Sequence, residues 1–281
     1  MVTFRYSNTK DLPGIALLMQ KAFGDTHEYI QAFFHYFYRD NVLLVVDDKE
    51  IVSMAFLLPA FLEVKKQRIP ATYLYACATR EDYRGKGLMA DLIEEACRDV
   101  CRRGEAGVFL LPATGSLYDY YMKLGFREFF YESREKYTLE DKPENDGNDV
   151  FEIFRISGEI YQDQRSLWLT SDFAVHYPLA HFQFVEQEFQ GDSGGLYQIS
   201  QQNNHVGIAF IRKKGNILEV KELLVNPENL VPLSRFLIRR FDCHNIEISR
   251  PGYTERTALL KCNKDYEYLY REKGYFNFAL D

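Results

Sequence analysis

EDYRGKGLMADLIEEACRDVCRRG, residues 81–104, decides the fold. Leu88, Met89, Leu92, Ile93, Ala96, Cys97, Val100 and Cys101 recur at helical spacing, while Asp91, Glu94, Glu95, Arg98, Asp99 and Arg102 fill the opposite face. The spacing predicts an amphipathic helix with the first set buried and Gly104 as its stop. Gly85 and Gly87 stand at its mouth, where first-turn N–H groups have no intrahelical acceptor. Bare backbone there can close on a ligand, and a helix N-terminus favours an anion.

Several phosphate loops share that description. Gly85, Gly87 and Ala90 satisfy G-x-G-x-x-A, but a dinucleotide site needs the turn straight from a strand and an acidic residue at the end of the next strand. Here Arg80–Arg84 separate the strand YLYACAT (73–79) from Gly85, and the next apolar run, VFLL (108–111), ends in Pro112. A P-loop would need Lys-Ser or Lys-Thr after the glycines, which the sequence lacks. What remains is a strand, a loop ending in Tyr83-Arg84-Gly85-Lys86-Gly87-Leu88, and a long helix.

That arrangement resembles the acyl-coenzyme-A signature of the GCN5-related N-acetyltransferases, with Asp82 where the family usually carries Gln or Arg. LYDYYMKLGFREFFYESREKYTL (117–139) resembles the family's later segment, in which a helix carries a tyrosine four residues before Gly-Phe; that tyrosine is Tyr121, before Gly125-Phe126. The resemblance implies a mixed α/β sheet and acetyl-coenzyme A as co-substrate. It implies a pyrophosphate held by Arg84, Gly85, Lys86, Gly87, Leu88 and Met89. The main chain of Ala78 and Thr79 would hold the thioester carbonyl and pantetheine arm. Tyr121 would be the acid, with Tyr118 and Tyr120 close enough to compete for the assignment.

Working outward, the first half reads β-α-α-β-β-β-α-β-α-β. VTFRYS (2–7) is a strand, and Asp11 and Pro13 open a helix. DTHEYIQAFFHYFYRD (25–40) is an aromatic-rich helical segment whose rings read mainly as core, with Asp25 and Glu28 at its front as candidates to touch a substrate. Two hairpins follow, the first turning at 47–50 and the second within FLEVKKQRIPATYLYACAT (61–79). DKPENDGND (141–149) has the composition of a linker, which predicts an acetyl-coenzyme-A-binding domain over 1–140 and a second domain over 150–281. The second half repeats the strand-rich order, but Val225-Asn226-Pro227-Glu228-Asn229 precedes its helix in place of glycines. It reads as a degenerate acetyltransferase-like domain without coenzyme A. A working and a degenerate half, with an apolar tail YFNFALD (275–281), resemble the tandem domains of the enhanced-intracellular-survival type of acetyltransferase. That resemblance implies that the terminal carboxylate of Asp281 reaches the active site.

At 281 residues the chain has room for about two domains. Five scattered cysteines without a C-x-x-C pair suggest neither a disulfide scaffold nor zinc, and the six histidines show no ligand spacing, so no metal is expected. Cys97 and Cys101 read as core. A net charge of −7 argues against a general nucleic-acid partner. No basic–apolar leader and no apolar run of about 20 residues occur, which predicts a cytoplasmic protein without a membrane partner. No G-x-S-x-G elbow supports a hydrolase.

Acyl transfer to a primary amine needs a neutral nucleophile. With an ammonium pKa near 10.4, about one molecule in a few thousand is neutral at pH 7, a deficit of roughly 4–5 kcal/mol. Asp281, from the resemblance, and Glu28, from position, are the candidate bases. The reading is an acetyl-coenzyme-A-dependent N-acetyltransferase acting on a small-molecule or peptide amine. Two alternatives stay open: a non-catalytic acyl-coenzyme-A-binding regulator, and a protein lysine or N-terminal acetyltransferase.

Overall fold

The structure is a computed structural model describing residues 2–138, 151–190 and 194–280. In chain order the elements are β1 (Thr3–Tyr6), α1 (Leu12–Phe23), α2 (His27–Phe37), β2 (Val42–Asp47), β3 (Glu50–Val64), β4 (Gln67–Thr79), α3 (Leu88–Arg102), β5 (Gly107–Leu110), α4 (Gly115–Lys123), β6 (Arg127–Glu128) and β7 (Phe130–Thr138). Then follow β8 (Phe151–Arg155), α5 (Gly158–Trp168), β9 (Phe173–His176), α6 (Leu179–Glu188), β10 (Gly194–Gln201), β11 (Asn204–Lys214), β12 (Ile217–Val225), α7 (Leu230–Arg240), β13 (Asn245–Arg256), β14 (Leu259–Cys262) and β15 (Gly274–Tyr275). The expected linker, 141–149, lies outside the described residues. None of the described helices is long and apolar enough to cross a membrane.

Two compact units emerge, and neither is continuous in sequence. The first comprises Met1–Phe130, Val175–Pro178 and Thr257–Lys273; the second Tyr131–Ala174, Leu179–Arg256 and Gly274–Asp281.

In the first unit the strand order is β6-β14-β5-β4-β3-β2-β1. Every pairing is antiparallel except β4 with β5. Helix α1 starts with Pro13 in its first turn and ends at Gly24 in the left-handed conformation, as the start and stop residues require. One face of the sheet carries α3: Leu92, Ile93, Ala96 and Val100 pack with Leu43, Val52, Leu57, Leu74 and Val108, all essentially inaccessible. Each of the large aliphatic side chains contributes about 1.5–3 kcal/mol of gross burial. Phe33 of α2 stacks on Tyr75 of β4 and meets Phe56 of β3 edge-on. The buried face of α3 is shorter than its sequence pattern: Cys97 is half-buried and Cys101 exposed. Cys101 is in the helix's last turn, where its thiol reaches Asn263 rather than the core.

The strand beside β5 comes from far along the chain. Leu259–Cys262 of β14 pair with Gly107–Leu110, and Leu259 and Leu260 are fully buried. In the second unit, β7 from the first half pairs with β13 in the corresponding place. The order there is β8-β10-β11-β12-β13-β7, with β15 beyond β7 and pairing in parallel with β9 through Tyr275 and Ala174. The second core gathers Leu218, Val220, Leu233, Leu237, Ile246 and Ile248. The expected C-terminal strand is shorter than read: it stops at Tyr275, and Phe278 takes φ +68, which extended backbone does not allow. The tail is nonetheless anchored, with Phe278 packed on Tyr161, Phe182 and Phe210.

Candidate active site

The parallel contact of β4 and β5 is brief. Thr72 pairs with Val108 and Tyr73 with Phe109, after which the strands part. On its other edge β4 stays paired with β3 as far as Thr79, opposite Ser53. Among the described residues, the segment from Leu74 to Thr79 therefore has a strand partner on one edge only, which leaves a slot between β4 and β5 beyond their last pair.

A bulge sits inside that segment. Tyr75 pairs with Phe56 and Ala78 with Met54, so Ala76 and Cys77 together oppose the single residue Ala55. Ala76 takes φ +49, a left-handed conformation that costs a non-glycine residue about 1–2 kcal/mol. The extra residue changes the alternation of side chains. Leu74 and Cys77, three apart, both join the cluster beneath α3 and α4, while Tyr75 turns to the α2 face, its hydroxyl 3.2 Å from that of Tyr29.

At the C-terminal end of β4 the chain makes a short 3-10 turn, Glu81–Tyr83, and enters the glycine loop. Gly85 and Gly87 take φ +76 and +80. A Cβ built on either would meet no atom within 4 Å, so their backbone faces open space. The first intrahelical bond of α3 runs from Asp91 N–H to Gly87 C=O at 3.1 Å, and no side chain caps the helix. The amides of Leu88, Met89 and Ala90 thus lack intrahelical acceptors and converge on the loop, as an anion site requires. Arg84 and Lys86 are exposed beside it. Lys86 lies over the Tyr83 ring at 4.3 Å, and the Tyr83 hydroxyl donates to Asp47 at 3.0 Å, bracing the loop. Arg80 is already committed to Asp82 and Glu50. A cavity of about 720 Å³ opens beside the loop, lined by Leu18, Lys21, Ala22, Thr79, Arg80 and Arg84 among others.

The three tyrosines of α4 have separate fates. Tyr118 donates its hydroxyl to the Thr257 carbonyl. Tyr120 is half-buried and meets Tyr121 edge-on. Tyr121 is buried in the cluster with Leu74, Ala96 and Phe126, against which the half-buried Cys77 also packs. Burial, then the neighbouring Cys77 and Tyr120, pushes the Tyr121 pKa well above that of an ordinary phenol.

On the other face, Asp25 is half-buried between α1 and α2, and partial desolvation raises its carboxyl pKa. Thr26 caps α2 through Tyr29 N–H. Glu28 is exposed, and hydrogen bonds from its own amide and the Thr26 hydroxyl hold its carboxyl below the usual range. That makes it a helix-start residue and a poorer base than its position in the sequence suggests. Asp281 lies outside the described residues. The structure thus brings Ala78, Thr79, Arg84, Gly85, Lys86, Gly87, Leu88 and Met89 to one end of β4 and places Tyr121 under the slot, with Asp25 and Glu28 on the α2 side. Sequence reasoning did not foresee the bulge or the Tyr29–Tyr75 contact, because no local signal marks either.

Residues 3–129 match the acetyltransferase (GNAT) domain family. No curated protein matches the sequence. Among solved structures, the fold is similar to that of an Enterococcus faecalis V583 protein named "Probable N-Acyltransferase" (TM-score 0.74, 14% identity, covering 94% of this chain and 73% of that one). It is also similar to a GCN5-related N-acetyltransferase from Anabaena variabilis ATCC 29413 (0.73, 14%, 94% and 74%). A third is Eis1 from Mycobacterium abscessus (0.68, 14%, 93% and 73%). At such identities the likeness is one of fold.

Proposed function

We propose that this chain, whose residues 3–129 match the acetyltransferase (GNAT) domain family, transfers an acetyl group from acetyl-coenzyme A to a primary amine by direct attack on the thioester. One observation carries the reading: a strand that leaves its parallel neighbour after two residue pairs and runs into an uncapped helix N-terminus built on two left-handed glycines. The tandem arrangement, with a coenzyme-binding first domain and a degenerate second one, belongs to the same proposal.

When bound, acetyl-coenzyme A supplies an activated acyl carbon. The amides of Leu88, Met89 and Ala90 and the backbone of Gly85 and Gly87 hold the pyrophosphate, with Arg84 and Lys86 adding positive charge. The main chain of Ala78 and Thr79 orients the thioester and stabilises the oxyanion. The amine nitrogen forms its bond to the carbonyl carbon as the carbon–sulfur bond breaks, and Tyr121 gives its phenolic proton to the departing sulfur. From an ordinary phenol to a thiolate of pKa about 8.5 that step is uphill by about 2 kcal/mol. The raised pKa of Tyr121 makes the step steeper than that, and the proton shed by the new amide nitrogen passes through solvent to restore the phenol. Asp25, half-desolvated, stabilises the positive charge that develops on the attacking nitrogen as its bond to carbon forms.

The test is calorimetric titration of acetyl-coenzyme A into the protein beside a Gly87→Glu variant. Saturable binding that the substitution abolishes supports the loop as the coenzyme site and directs a screen of polyamines, aminoglycosides and lysine peptides. Wild-type protein that binds no acetyl-coenzyme A would overturn the proposal.

A further inference from the structure

We infer that a basic groove between α1 and the β2–β3 turn binds the ribose 3′-phosphate of acetyl-coenzyme A, with Lys21 as its central contact. The inference rests on the glycine loop as the pyrophosphate site and adds a second anchor for the nucleotide end of the same molecule.

The groove consists of two cavities with a common wall. The cavity of about 720 Å³ beside the loop is lined by Arg84 together with Lys21 and Arg80. A second cavity, of about 380 Å³, is lined by Lys10, Lys49, Leu17 and Ile51, and it shares Leu18, Lys21 and Arg80 with the first. Both volumes are in the range of small-ligand sites. The 3′-phosphate and the 5′-pyrophosphate of the coenzyme leave one sugar, so a cation that meets the former must face the space beside the loop. Of Lys10, Lys21 and Lys49, it is Lys21 that lines the same cavity as Arg84. Leu17, exposed on α1, and Ile51 add apolar surface that a purine can cover.

The charges point the same way. The chain carries a net charge of −7, yet the carboxylates of this groove are largely committed. Arg5 grips Asp11 through bonds of 2.7 and 2.8 Å, and Arg80 takes both Glu50 and Asp82. Glu81 is the lining carboxylate outside these pairs. Among the described residues no carboxylate pairs with Lys10, Lys21 or Lys49, so three ammonium groups line the groove unneutralised. Arg84 donates its Nε–H to the Thr79 carbonyl at 3.2 Å, and its terminal N–H groups remain for a ligand. Charge-assisted bonds from such donors are the strong ones, and a phosphate dianion can accept several at once. The same charge makes the groove a poor host for the acceptor, because an amine with a pKa near 10.4 arrives as an ammonium.

Calorimetry with acetyl-coenzyme A and its 3′-dephospho form, which differ only in the group at issue, tests the assignment. The wild type is expected to bind acetyl-coenzyme A about tenfold more tightly than the dephospho form. In Lys21→Ala that preference is expected to fall to about twofold through weaker binding of acetyl-coenzyme A, with the Kd of the dephospho form within about twofold of its wild-type value. Lys65→Ala, at a lysine of the β3–β4 turn that lines neither cavity, is expected to keep the full preference. A wild type without the preference, or a Lys21→Ala protein that keeps it, would overturn the inference and leave the loop reading standing. Loss of the preference in Lys65→Ala as well would trace it to overall charge and overturn the groove. A free phosphorylated nucleotide offers the same chemistry, so adenosine 3′,5′-bisphosphate is the third probe: it is expected to compete with acetyl-coenzyme A. Its binding to protein already saturated with acetyl-coenzyme A would give the groove to a separate molecule and overturn the assignment to the coenzyme. A wild type that binds neither form of the coenzyme would remove the loop reading and the inference with it.

Discussion

Replacing Arg165 by Met should destabilise the second unit more than any surface change. Arg165 and Glu222 are 1% and 0% exposed, and the guanidinium grips the carboxylate through two bonds of 2.9 and 3.0 Å. Tyr161 donates a third at 3.1 Å. Removing only the arginine leaves a buried carboxylate with the Tyr161 hydroxyl as its remaining donor in that cluster, and breaking such a pair costs about 3–5 kcal/mol. Removing both charges, in Arg165→Met/Glu222→Leu, avoids the unpaired ion and leaves mainly the Tyr161 hydroxyl stranded, at about 1–3 kcal/mol. Adding Tyr161→Phe should bring stability close to wild type. The protein's single tryptophan, Trp168, lies on the same helix as Arg165 and Tyr161, so urea unfolding followed by its fluorescence reads this unit directly. A loss below about 1 kcal/mol for Arg165→Met, or a double variant no more stable than the single, would refute the view of the cluster as a charge pair sustained by mutual desolvation.

Two further outcomes follow from burial. His181 is buried, and desolvation lowers its pKa from 6.5 to about 3; its contribution is complete above pH 6.5 and is lost as the pH falls toward 3, because the unfolded chain takes up the proton first. At about 1.4 kcal/mol per pH unit, some 2 kcal/mol should disappear between pH 7 and pH 5, and His181→Leu should flatten that part of the urea-midpoint profile; an unaltered slope would exclude His181 as its source. A fragment of residues 1–140 lacks β14, so the β5 edge and the pocket filled by Leu259 and Leu260 are laid open. It should aggregate on size-exclusion chromatography, whereas a monodisperse, cooperatively unfolding fragment would show that β14 is dispensable.

What the sequence discloses and what it hides divide along local and non-local interactions. Helix α3 and its glycine mouth are legible because 3.6-residue periodicity and left-handed glycines are properties of neighbouring residues. The hairpin turn at 47–50 and the existence of a second hairpin within 61–79 are legible for the same reason. The exchange that puts β14 beside β5 and β7 beside β13 has no local signature, since a strand's own residues do not specify its partner. A contiguous split at a linker therefore misses the segment 257–273 that completes the first unit. The bulge is invisible for another reason: Ala76 adopts a backbone conformation that sequence rules reserve for Gly, Asn and Asp. The tail's apolar residues foretell its burial, but hydrophobicity alone does not distinguish a strand from the bent path that φ +68 at Phe278 imposes.

Comparing the two units separates what belongs to their common frame from what is particular to the candidate site. The second also pairs two strands in parallel, β12 with β13, over Ile217–Val220. It also bulges, with Lys221 as the extra residue between Val220 and Glu222. A splayed strand and a bulge are therefore features of the frame. Beyond the bulge the units diverge: the position facing α5 holds Glu222, closed by Arg165 and Tyr161, and the following helix is entered through Asn226-Pro227 rather than through glycines. Proline has no N–H to offer an anion, and its fixed φ excludes the left-handed turn that Gly85 and Gly87 supply. Grafting Arg84–Gly87 onto the second unit would still leave that buried ion pair beside the bulge in place. Among the described residues, only the first unit joins a strand edge freed beyond its parallel pairing to left-handed glycines at a helix mouth.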